Sequence, residues 1–253
     1  MSDPTKRFSD RVDNYIKYRP SYPVEILEVL QSECGLNANS IVADIGSGTG
    51  ILTKLFLENG NHVFAVEPNN EMREAAERQL TAFPNLSSIA GGAENSKLDA
   101  DSVDFIISGQ AFHWFDREKA KIEFSRILRP DGCLALIWNE RRVNSSPFLS
   151  DYEAFLKKHA TDYDVVNHVH IGEDIIREFF SPASLKVSSF PNHQHFDFEG
   201  IKGRCLSCSY IPNADSPNHN AMLEDLKHIY DKHQENDIAT FEYDTIMYYG
   251  KFK

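Results

Sequence analysis

Residues Asp44 to Gly50 read Asp-Ile-Gly-Ser-Gly-Thr-Gly, with three glycines at alternate positions. Glycines permit positive φ angles and let a ligand approach the backbone closely. A helix that begins after such a turn offers free N–H groups and a partial positive charge, which suit a carboxylate or a phosphate. Glu67 lies 21 residues beyond Gly46, where a carboxylate can accept hydrogen bonds from both hydroxyls of a ribose. The turn alone could be purely structural, but the two features together predict a site for an adenosine-containing ligand.

The spacing of the glycines distinguishes between two classes of such ligand. The nicotinamide fingerprint is Gly-x-Gly-x-x-Gly, with the pyrophosphate over the start of the helix. This sequence has Gly-x-Gly-x-Gly instead, and Asp44 stands two residues before the first glycine. A buried acid at that position would repel a pyrophosphate but can accept a hydrogen bond from an ammonium group. We therefore favour S-adenosylmethionine, which carries an ammonium, a carboxylate and an adenosine, over the nicotinamide cofactor of an oxidoreductase.

Strand and helix patterns alternate around these residues. Short apolar segments separated by helical periodicity predict a parallel sheet that is covered by helices on both faces. The predicted strands are 41–45, 62–66, 86–90, 103–108, 133–138, 185–190 and 245–252. The predicted helices lie around 26–34 and at 50–59, 69–83 and 116–128, with further helical patterns near 155 and at 175–180.

We interpret residues 1–253 as a single domain. Its core comprises 24–140 together with two final core segments, 185–196 and 243–253. Residues 1–23 are expected to form an N-terminal arm or lid. The two segments that interrupt the alternation, 141–184 and 197–242, are expected to be insertions that form a helical cap.

The composition excludes several classes of protein. A net charge of −12 at pH 7 argues against nucleic acid as a partner, because such binding depends on Lys and Arg. No run of about 18 apolar residues is present to span a membrane, and the N-terminus lacks the apolar core of a secretory signal. Four cysteines in 253 residues do not indicate a disulfide framework. We expect a cytoplasmic protein, without membrane contact, that acts on a small molecule.

The pair Cys205-Leu206-Ser207-Cys208, with His193 and His195 upstream, suggests an alternative site. Two cysteines and two histidines can bind zinc, but a single C-x-x-C pair is weak evidence for it. We therefore predict no metal site. The remaining histidines of the cap are also expected at the surface: His168, His170, His219, His228 and His233.

The segments Asp44–Gly50 and Val66-Glu67-Pro68-Asn69 resemble those of class I S-adenosylmethionine-dependent methyltransferases. The subgroup that resembles trans-aconitate methyltransferase, which acts on small molecules, is the most similar. Further matching segments are 18–23, 93–94, 102–104, 110–115, 128–132 and 209–212. The resemblance implies a Rossmann-like, seven-stranded methyltransferase sheet whose last strand is antiparallel. Residues 245–252 would supply that strand.

The resemblance also implies contacts with the methionine and ribose portions of the cofactor. Gly46, Gly48 and Gly50 would wrap the methionine portion, and Ser47 belongs to the same turn. Asp44 would lie near the amino group, directly or through water. The ribose would be bound by the acid after the second strand, which is Glu67.

The adenine would be contacted after the second and third strands. Pro68 and Met72 would flank the ring, and Ala93 and Glu94 would contact its edge. Many relatives have an aspartate before the Ala-Glu pair, where this sequence has Gly92. The adenine amino group would therefore depend on Glu94 or on the backbone.

Gln110 to Phe115 follow the fourth strand, at the edge where open α/β sheets bind ligands. Gln110 and Trp114 are expected to contact the cofactor, with Trp114 also near the substrate. His113 is expected near the substrate and is the one candidate for a general base. Alternatively, the aromatic residues of this segment pack only as core residues.

The arm and the cap supply further candidates. Tyr18 and Arg19 would close over the cofactor, since arginine binds carboxylates through paired hydrogen bonds, although an ordinary arm ordered by prolines is an alternative. Arg141, Arg142 and Arg204 are candidates for binding an acidic acceptor, and at least two of them are expected at the surface. The last candidate for substrate binding is Tyr210.

The predicted reaction is methyl transfer to an oxygen, nitrogen or carbon atom of a small molecule, for which a carboxylic acid is one candidate. The displacement requires mainly alignment and exclusion of water, and a carboxylate acceptor would need no base. The alternative is a catalytically silent S-adenosylmethionine-binding module with a regulatory or interaction role. A monomer and a homodimer are both compatible with the sequence.

Overall fold

The computed structural model describes residues 12–161, 163 and 171–252. The predicted arm and the first cap segment are therefore described in part, and His168 and His170 lie outside the described residues. The strands are β1 Ile41–Ile45, β2 His62–Val66, β3 Leu86–Ile89, β4 Val103–Gly109, β5 Leu128–Arg141, β6 Lys186–Phe196 and β7 Ala239–Lys251. The α-helices are α1 Val12–Tyr18, α2 Glu25–Cys34, α3 Ile51–Glu58, α4 Asn70–Gln79, α5 Arg117–Ile127, α6 Pro147–His159, α7 Glu173–Phe180, α8 Phe198–Leu206 and α9 His219–His233.

The seven strands form one sheet in the order β3-β2-β1-β4-β5-β7-β6. Strands β1 to β5 are parallel, and β7 runs antiparallel to both β5 and β6. The prediction of a Rossmann-like sheet with an antiparallel last strand is confirmed. The strand order reverses between β1 and β4, and ligands of such sheets bind at the carboxyl ends of the strands beside this point.

Strands β6 and β7 are longer than the predicted strands at 185–190 and 245–252. They pair from Lys186 opposite Tyr249 to Phe196 opposite Ala239. β7 therefore begins inside the segment 197–242 that the sequence assigned to the cap. Its buried residues alternate with half-buried ones from Ala239 onward, which is the pattern of a half-buried strand, so the predicted start at 245 was too late.

Three apolar clusters hold the elements together. Alternate residues of the central strands point to opposite faces, so that Ile106 packs under α5 and α7 while Ile107 packs under α2 and α3. The third cluster joins α6, α8 and α9 to the start of β7, where Phe241 is fully buried. This cluster gives the cap its own core and fixes it to the sheet.

The arm crosses the carboxyl ends of β5 and β6. The Ser21 carbonyl accepts hydrogen bonds from Asn139 (3.2 Å) and Asn192 (2.8 Å), and the Tyr18 carbonyl accepts one from Gln194 (3.2 Å). These contacts place the arm over the edge of the sheet that contains the glycine turn. None of the helices within the described ranges has the length and apolar character needed to cross a membrane.

Candidate active site

The three glycines of the turn after β1 all have positive φ, at 73° for Gly46, 57° for Gly48 and 82° for Gly50. A Cβ on Gly46 would lie 2.6 Å from the Ala111 Cβ, and a Cβ on Gly50 would lie 2.6 Å from the Leu80 Cδ1. The first and third glycines thus permit close packing as well as the turn itself. Gly50 packs against Leu80, the C-cap residue of α4, and is not part of the walls of the two cavities described below.

Glu67 stands at the end of β2, and its carboxylate is held by backbone donors. Its Oε2 accepts the Gly48 N–H (2.9 Å) and its Oε1 accepts the Asn69 N–H (2.8 Å). Burial raises the pKa of this carboxyl, against the lowering effect of these N–H groups and of Arg73. Each carboxylate oxygen has a further lone pair, so Glu67 can accept two hydroxyl groups at once.

Asp44 lies on β1 and is fully buried. Its Oδ2 accepts a hydrogen bond from the Thr53 hydroxyl (2.6 Å), whereas its Oδ1 accepts none from any described residue. Burial, together with the nearby charge of Glu67, raises the pKa of Asp44 to about 7 despite the Thr53 hydrogen bond. A buried carboxylate oxygen without a donor is costly, and a cationic donor would satisfy it best.

Two adjoining cavities open above these residues. The first has a volume of about 270 Å³, and its walls include Glu67 and Trp114. The second has a volume of about 180 Å³, and its walls include Asp44 and Arg204. The residues common to both walls form the boundary between the cavities: Tyr15, Arg19, Gly46, Gly48, Gly109, Gln110 and Tyr210.

The family model for a methyltransferase domain matches residues 43–136, which include the glycine turn and Glu67. An uncharacterised methyltransferase of Schizosaccharomyces pombe is 29% identical over 249 residues, which cover 96% of each chain. A solved structure described as a type II methyltransferase of Anaeromyxobacter dehalogenans superposes with a TM-score of 0.67 at 18% identity, covering 93% of this chain and 98% of that one. The chain is thus similar to methyltransferases in sequence and shares their fold.

A second solved structure shares the fold of this chain and contains ligands. It is a phosphoethanolamine N-methyltransferase of Haemonchus contortus, in complex with phosphomonomethylethanolamine and S-adenosylhomocysteine. Its TM-score is 0.56 at 14% identity, and the match covers 98% of this chain and 58% of that one. At this identity the likeness concerns the fold alone.

Most of the residues that the sequence predicted for the site line one of the two cavities. Tyr18 is an exception, because its ring packs against Gly203 of α8 and lies 6.1 Å from the ring of Phe196. Tyr15 of the same helix faces both cavities instead. The predicted residues in the walls are Arg19, Asp44, Gly46, Ser47, Gly48, Glu67, Pro68, Met72, Ala93, Glu94, Gln110, His113, Trp114, Arg141 and Tyr210.

The segment after β4 divides between the cavity and the core. The rings of His113 and Trp114 lie 4.6 Å apart and line the first cavity. His113 thus lies on the Glu67 side of the site, away from Arg204 in the second cavity. Phe112 is fully buried and packs among core aromatics, so the core interpretation holds for this residue.

Two other predicted residues are engaged by the protein itself. The Oε1 atom of Glu94 accepts the Asp116 N–H (2.8 Å) before α5, and the side chain is exposed. Gln110 has a positive φ of 57°, and its Nε2 donates to the Asn139 carbonyl (3.0 Å). Gln110 thereby connects the ends of β4 and β5 at the boundary of the cavities.

The three candidate arginines differ in environment, and the expectation that at least two lie at the surface is wrong. Only Arg142 is exposed, in an ion pair with Asp244 (2.6 Å). Arg204 is buried and Arg141 is largely buried, with 11% of its side chain exposed, and both line the second cavity. The physical reason is that β5 places Arg141 and Arg142 on opposite faces, while the cap cluster encloses α8 and Arg204.

These arginines retain unused donors toward the cavity. Nη2 of Arg141 donates to Glu153 and Tyr163, but its Nη1 is buried without an acceptor among the described residues. Nε of Arg19 is likewise buried without an acceptor, while its Nη2 donates to the Ser207 carbonyl (2.9 Å). The second cavity therefore presents cationic donors, opposite in charge to Asp44.

The zinc alternative finds no support in this geometry. Cys205 and Cys208 are buried in the cap, whereas His193 and His195 are exposed on β6. In the described part of the chain, no three His, Cys, Asp or Glu side chains come together as a metal site would require. One cap histidine departs from the surface expectation, since His233 is largely buried and hydrogen-bonds Asp151 (2.7 Å).

Several residues of the site could not be inferred from motifs. Thr53 orients Asp44 from the first turn of α3, and Asn139 anchors both the arm and Gln110. Tyr163 joins Arg141 to Glu153. Asn69 is the exception, because its Oδ1 caps α4 at the Met72 N–H (2.9 Å), and an asparagine before a helical pattern signals such a cap.

Proposed function

We propose that this protein binds S-adenosylmethionine across the two cavities and transfers its methyl group to a small-molecule acceptor that carries a carboxylate or a similar anionic group. The buried Asp44 Oδ1 without a donor is the observation that carries the cofactor assignment. An ammonium group placed there would satisfy the carboxylate and favour its charged form. Glu67, with one free lone pair on each oxygen, suits the two hydroxyls of a ribose.

The remaining contacts follow from the walls of the cavities. Pro68, Met72, Ala93 and Trp114 form an apolar slot beyond Glu67 that suits an adenine ring. Arg19, at the boundary between the cavities, would bind the carboxylate of the cofactor with its unused Nε. The turn from Gly46 to Gly48 would follow the methionine portion closely, because these residues have no Cβ or only a small side chain.

The second cavity would hold the acceptor. The bound cofactor supplies an electrophilic methyl group on a sulfonium. The protein aligns the acceptor with that group, and alignment of this kind can lower a barrier by about 7–11 kcal/mol. Arg141 and Arg204 would bind the anionic group, while Tyr15, Tyr22 and Tyr210 exclude water from the space between them.

No general base is needed for an acceptor that is already ionised, and we assign none. His113 lines the first cavity, which makes it a contact of the cofactor in this proposal rather than a base. The net charge of −12 and the enclosed second cavity favour a small molecule over nucleic acid as the acceptor.

Calorimetry with S-adenosylhomocysteine and with NAD tests the cofactor assignment. We expect S-adenosylhomocysteine to bind and NAD to bind far more weakly. Tighter binding of NAD, or no binding of S-adenosylhomocysteine, would refute the proposal.

The acceptor is tested by incubating the protein with methyl-labelled S-adenosylmethionine and metabolite fractions separated by charge. Label should enter the anionic fraction, and Arg204→Met should abolish it, whereas the surface control Arg142→Met should not. Binding of the cofactor without any labelled product would favour the silent binding module instead.

A further inference from the structure

Arg204 is a buried cation for which the protein provides no carboxylate. It is 7% exposed, and no Asp or Glu of the described residues forms an ion pair with it. Its Nε donates to the Tyr243 hydroxyl (3.2 Å) and its Nη1 to the Cys208 Sγ (3.0 Å). No described residue accepts a hydrogen bond from its Nη2. A buried guanidinium requires a counterion, and the ionisable side chains that accept hydrogen bonds from Arg204 are the candidates for it.

Cys208 has the surroundings of a stabilised thiolate. Its Sγ receives hydrogen bonds from Arg204 and from the Tyr210 hydroxyl. Although burial raises the pKa of this thiol, the charges of Arg19 and Arg204 and the two hydrogen bonds lower it to about 7. The charged and titratable side chains that face it come from the arm, from α6, and from α8 and the segment that follows: Arg19, Tyr152, Arg204 and Tyr210.

The protonated form of Cys208 also has a hydrogen-bond partner. A thiol proton on Sγ can be donated to the Arg204 carbonyl, which lies 3.6 Å away. Both protonation states therefore have a partner without any movement of the chain. Arg204 and Tyr210 line the second cavity, whereas Cys208 lies behind them and is fully buried. A ligand can thus contact Arg204 without contacting the sulfur.

We propose that the Cys208 thiolate is the resident counterion of Arg204, and that an anionic group entering the second cavity replaces it while Cys208 takes up one proton from solvent. The inference rests on the proposed function, because it assigns the anionic end of the acceptor to Arg204. Two anions on one guanidinium in a buried site repel each other, and protonation of the sulfur removes that repulsion. Binding of the anion is therefore coupled to proton uptake, and it weakens as the pH rises above the pKa of the thiol.

The first test measures the thiolate itself by ultraviolet absorbance between about pH 6 and about pH 9. A Cys34→Ser background is used, because the hydrogen bond from Cys133 also lowers the pKa of Cys34. We expect one thiol to titrate near neutral pH, and we expect Cys208→Ser to remove this titration. The matched control Cys205→Ser, which changes the other cysteine of the pair, should retain it. A titration that is absent, or that persists in Cys208→Ser, would overturn the inference.

The second test uses glutarate as an anionic probe and glutaramide as its neutral counterpart, both with S-adenosylhomocysteine present. Glutarate should move the thiolate titration to higher pH, and its affinity should fall by up to about tenfold per pH unit above the pKa of the thiol. Glutaramide should do neither, and in Cys208→Ser the affinity for glutarate should not depend on pH in this range. If glutarate leaves the titration of the Cys208 thiol unchanged, the proposed replacement of the thiolate by an anion at Arg204 is wrong. The first test needs no ligand, so it separates this inference from a failure of the cofactor assignment, which calorimetry with S-adenosylhomocysteine alone reports.

Discussion

Asp44 combines complete burial, one hydrogen bond from Thr53 and one oxygen without a donor. Replacement by asparagine keeps the shape of the side chain and removes its charge. The variant should be more stable than the wild type at alkaline pH and should bind S-adenosylhomocysteine more weakly. The two effects have opposite signs, so a general disturbance of the fold cannot produce both.

The stability effect follows from the pKa of Asp44, which is raised from 3.8 to about 7 in the folded protein. Between these values the folded state binds more protons than the unfolded state, so the free energy of unfolding falls as the pH rises. One pKa unit corresponds to about 1.4 kcal/mol, which gives a loss of up to about 4 kcal/mol above pH 7. Asparagine does not ionise, so Asp44→Asn should avoid this loss.

The binding effect follows from the orientation that Thr53 imposes. Its hydroxyl donates to Asp44, and in the variant it would donate to the amide oxygen. The amide NH2 group then occupies the position of the free Oδ1 and presents hydrogen atoms to an incoming ammonium. A charge-assisted hydrogen bond contributes about 1.5–3 kcal/mol, so the dissociation constant should rise by about 10-fold to about 100-fold.

Urea unfolding at about pH 5 and about pH 8, with calorimetry at about pH 8, measures both effects. The stability advantage of Asp44→Asn should be large at the higher pH and small at the lower one. Asp231→Asn, an exposed carboxyl paired with Lys227, serves as the control and should change neither stability nor binding appreciably. A variant that is less stable than the wild type at pH 8, or that binds S-adenosylhomocysteine equally well, would refute this account of Asp44.

Two further substitutions test other parts of the fold. Glu67→Ala should weaken binding of S-adenosylhomocysteine by at least about tenfold, because it removes both ribose acceptors, and unchanged affinity in calorimetry would exclude Glu67 as the ribose ligand. Glu123→Gln should lower the free energy of unfolding at pH 7 by about 1–2 kcal/mol. Burial raises the pKa of the Glu123 carboxyl, but Arg126 and Ser96 outweigh it and lower this pKa to about 2. The partial exposure of Arg126 reduces the stabilisation that this ion pair contributes. That stabilisation is present above the unfolded pKa near 4.5 and is lost as the pH falls toward 2, so a difference in urea unfolding that persists near pH 2 would contradict it.

The features that could be predicted from the sequence are those with local causes. The turn from Gly46 to Gly50 requires positive φ at three positions, and residues other than glycine rarely adopt a positive φ. Glu67 follows β2, which is separated from α3 by the three residues 59–61 and pairs with β1. The number of residues between the glycine turn and Glu67 therefore also determines where Glu67 lies relative to that turn. The short apolar strands of a sheet covered on both faces produce a continuous pattern that is seen directly in the sequence.

The arm could not be assigned in the same way. Tyr15 and Tyr18 are three residues apart on α1 and are equivalent candidates in the sequence. The choice between them depends on Gly203, whose missing side chain leaves room for the Tyr18 ring. A contact between residues so far apart along the chain leaves no local pattern. The beginning of β7 differs from the arm, because Ala239, Phe241 and Tyr243 alternate with polar residues, and this local pattern is typical of a half-buried strand.

The arginines show where sequence and structure each contribute. Strand alternation alone states that Arg141 and Arg142 face opposite sides, and so at most one of them can enter a cavity beside β5. The enclosure of Arg204 depends on how α8 packs in the cap, and no sequence motif indicates that packing. Arg204 is buried without a carboxylate and Asp44 is buried without a cation, so the wall of the second cavity contains two opposite charges that no Asp, Glu, Lys or Arg of the described residues compensates. Desolvation of such groups costs free energy in the protein without ligand. A cofactor that presents an ammonium to Asp44 and an acceptor that presents an anion to Arg204 together recover that cost, and their binding should therefore stabilise the fold as well as fill the site.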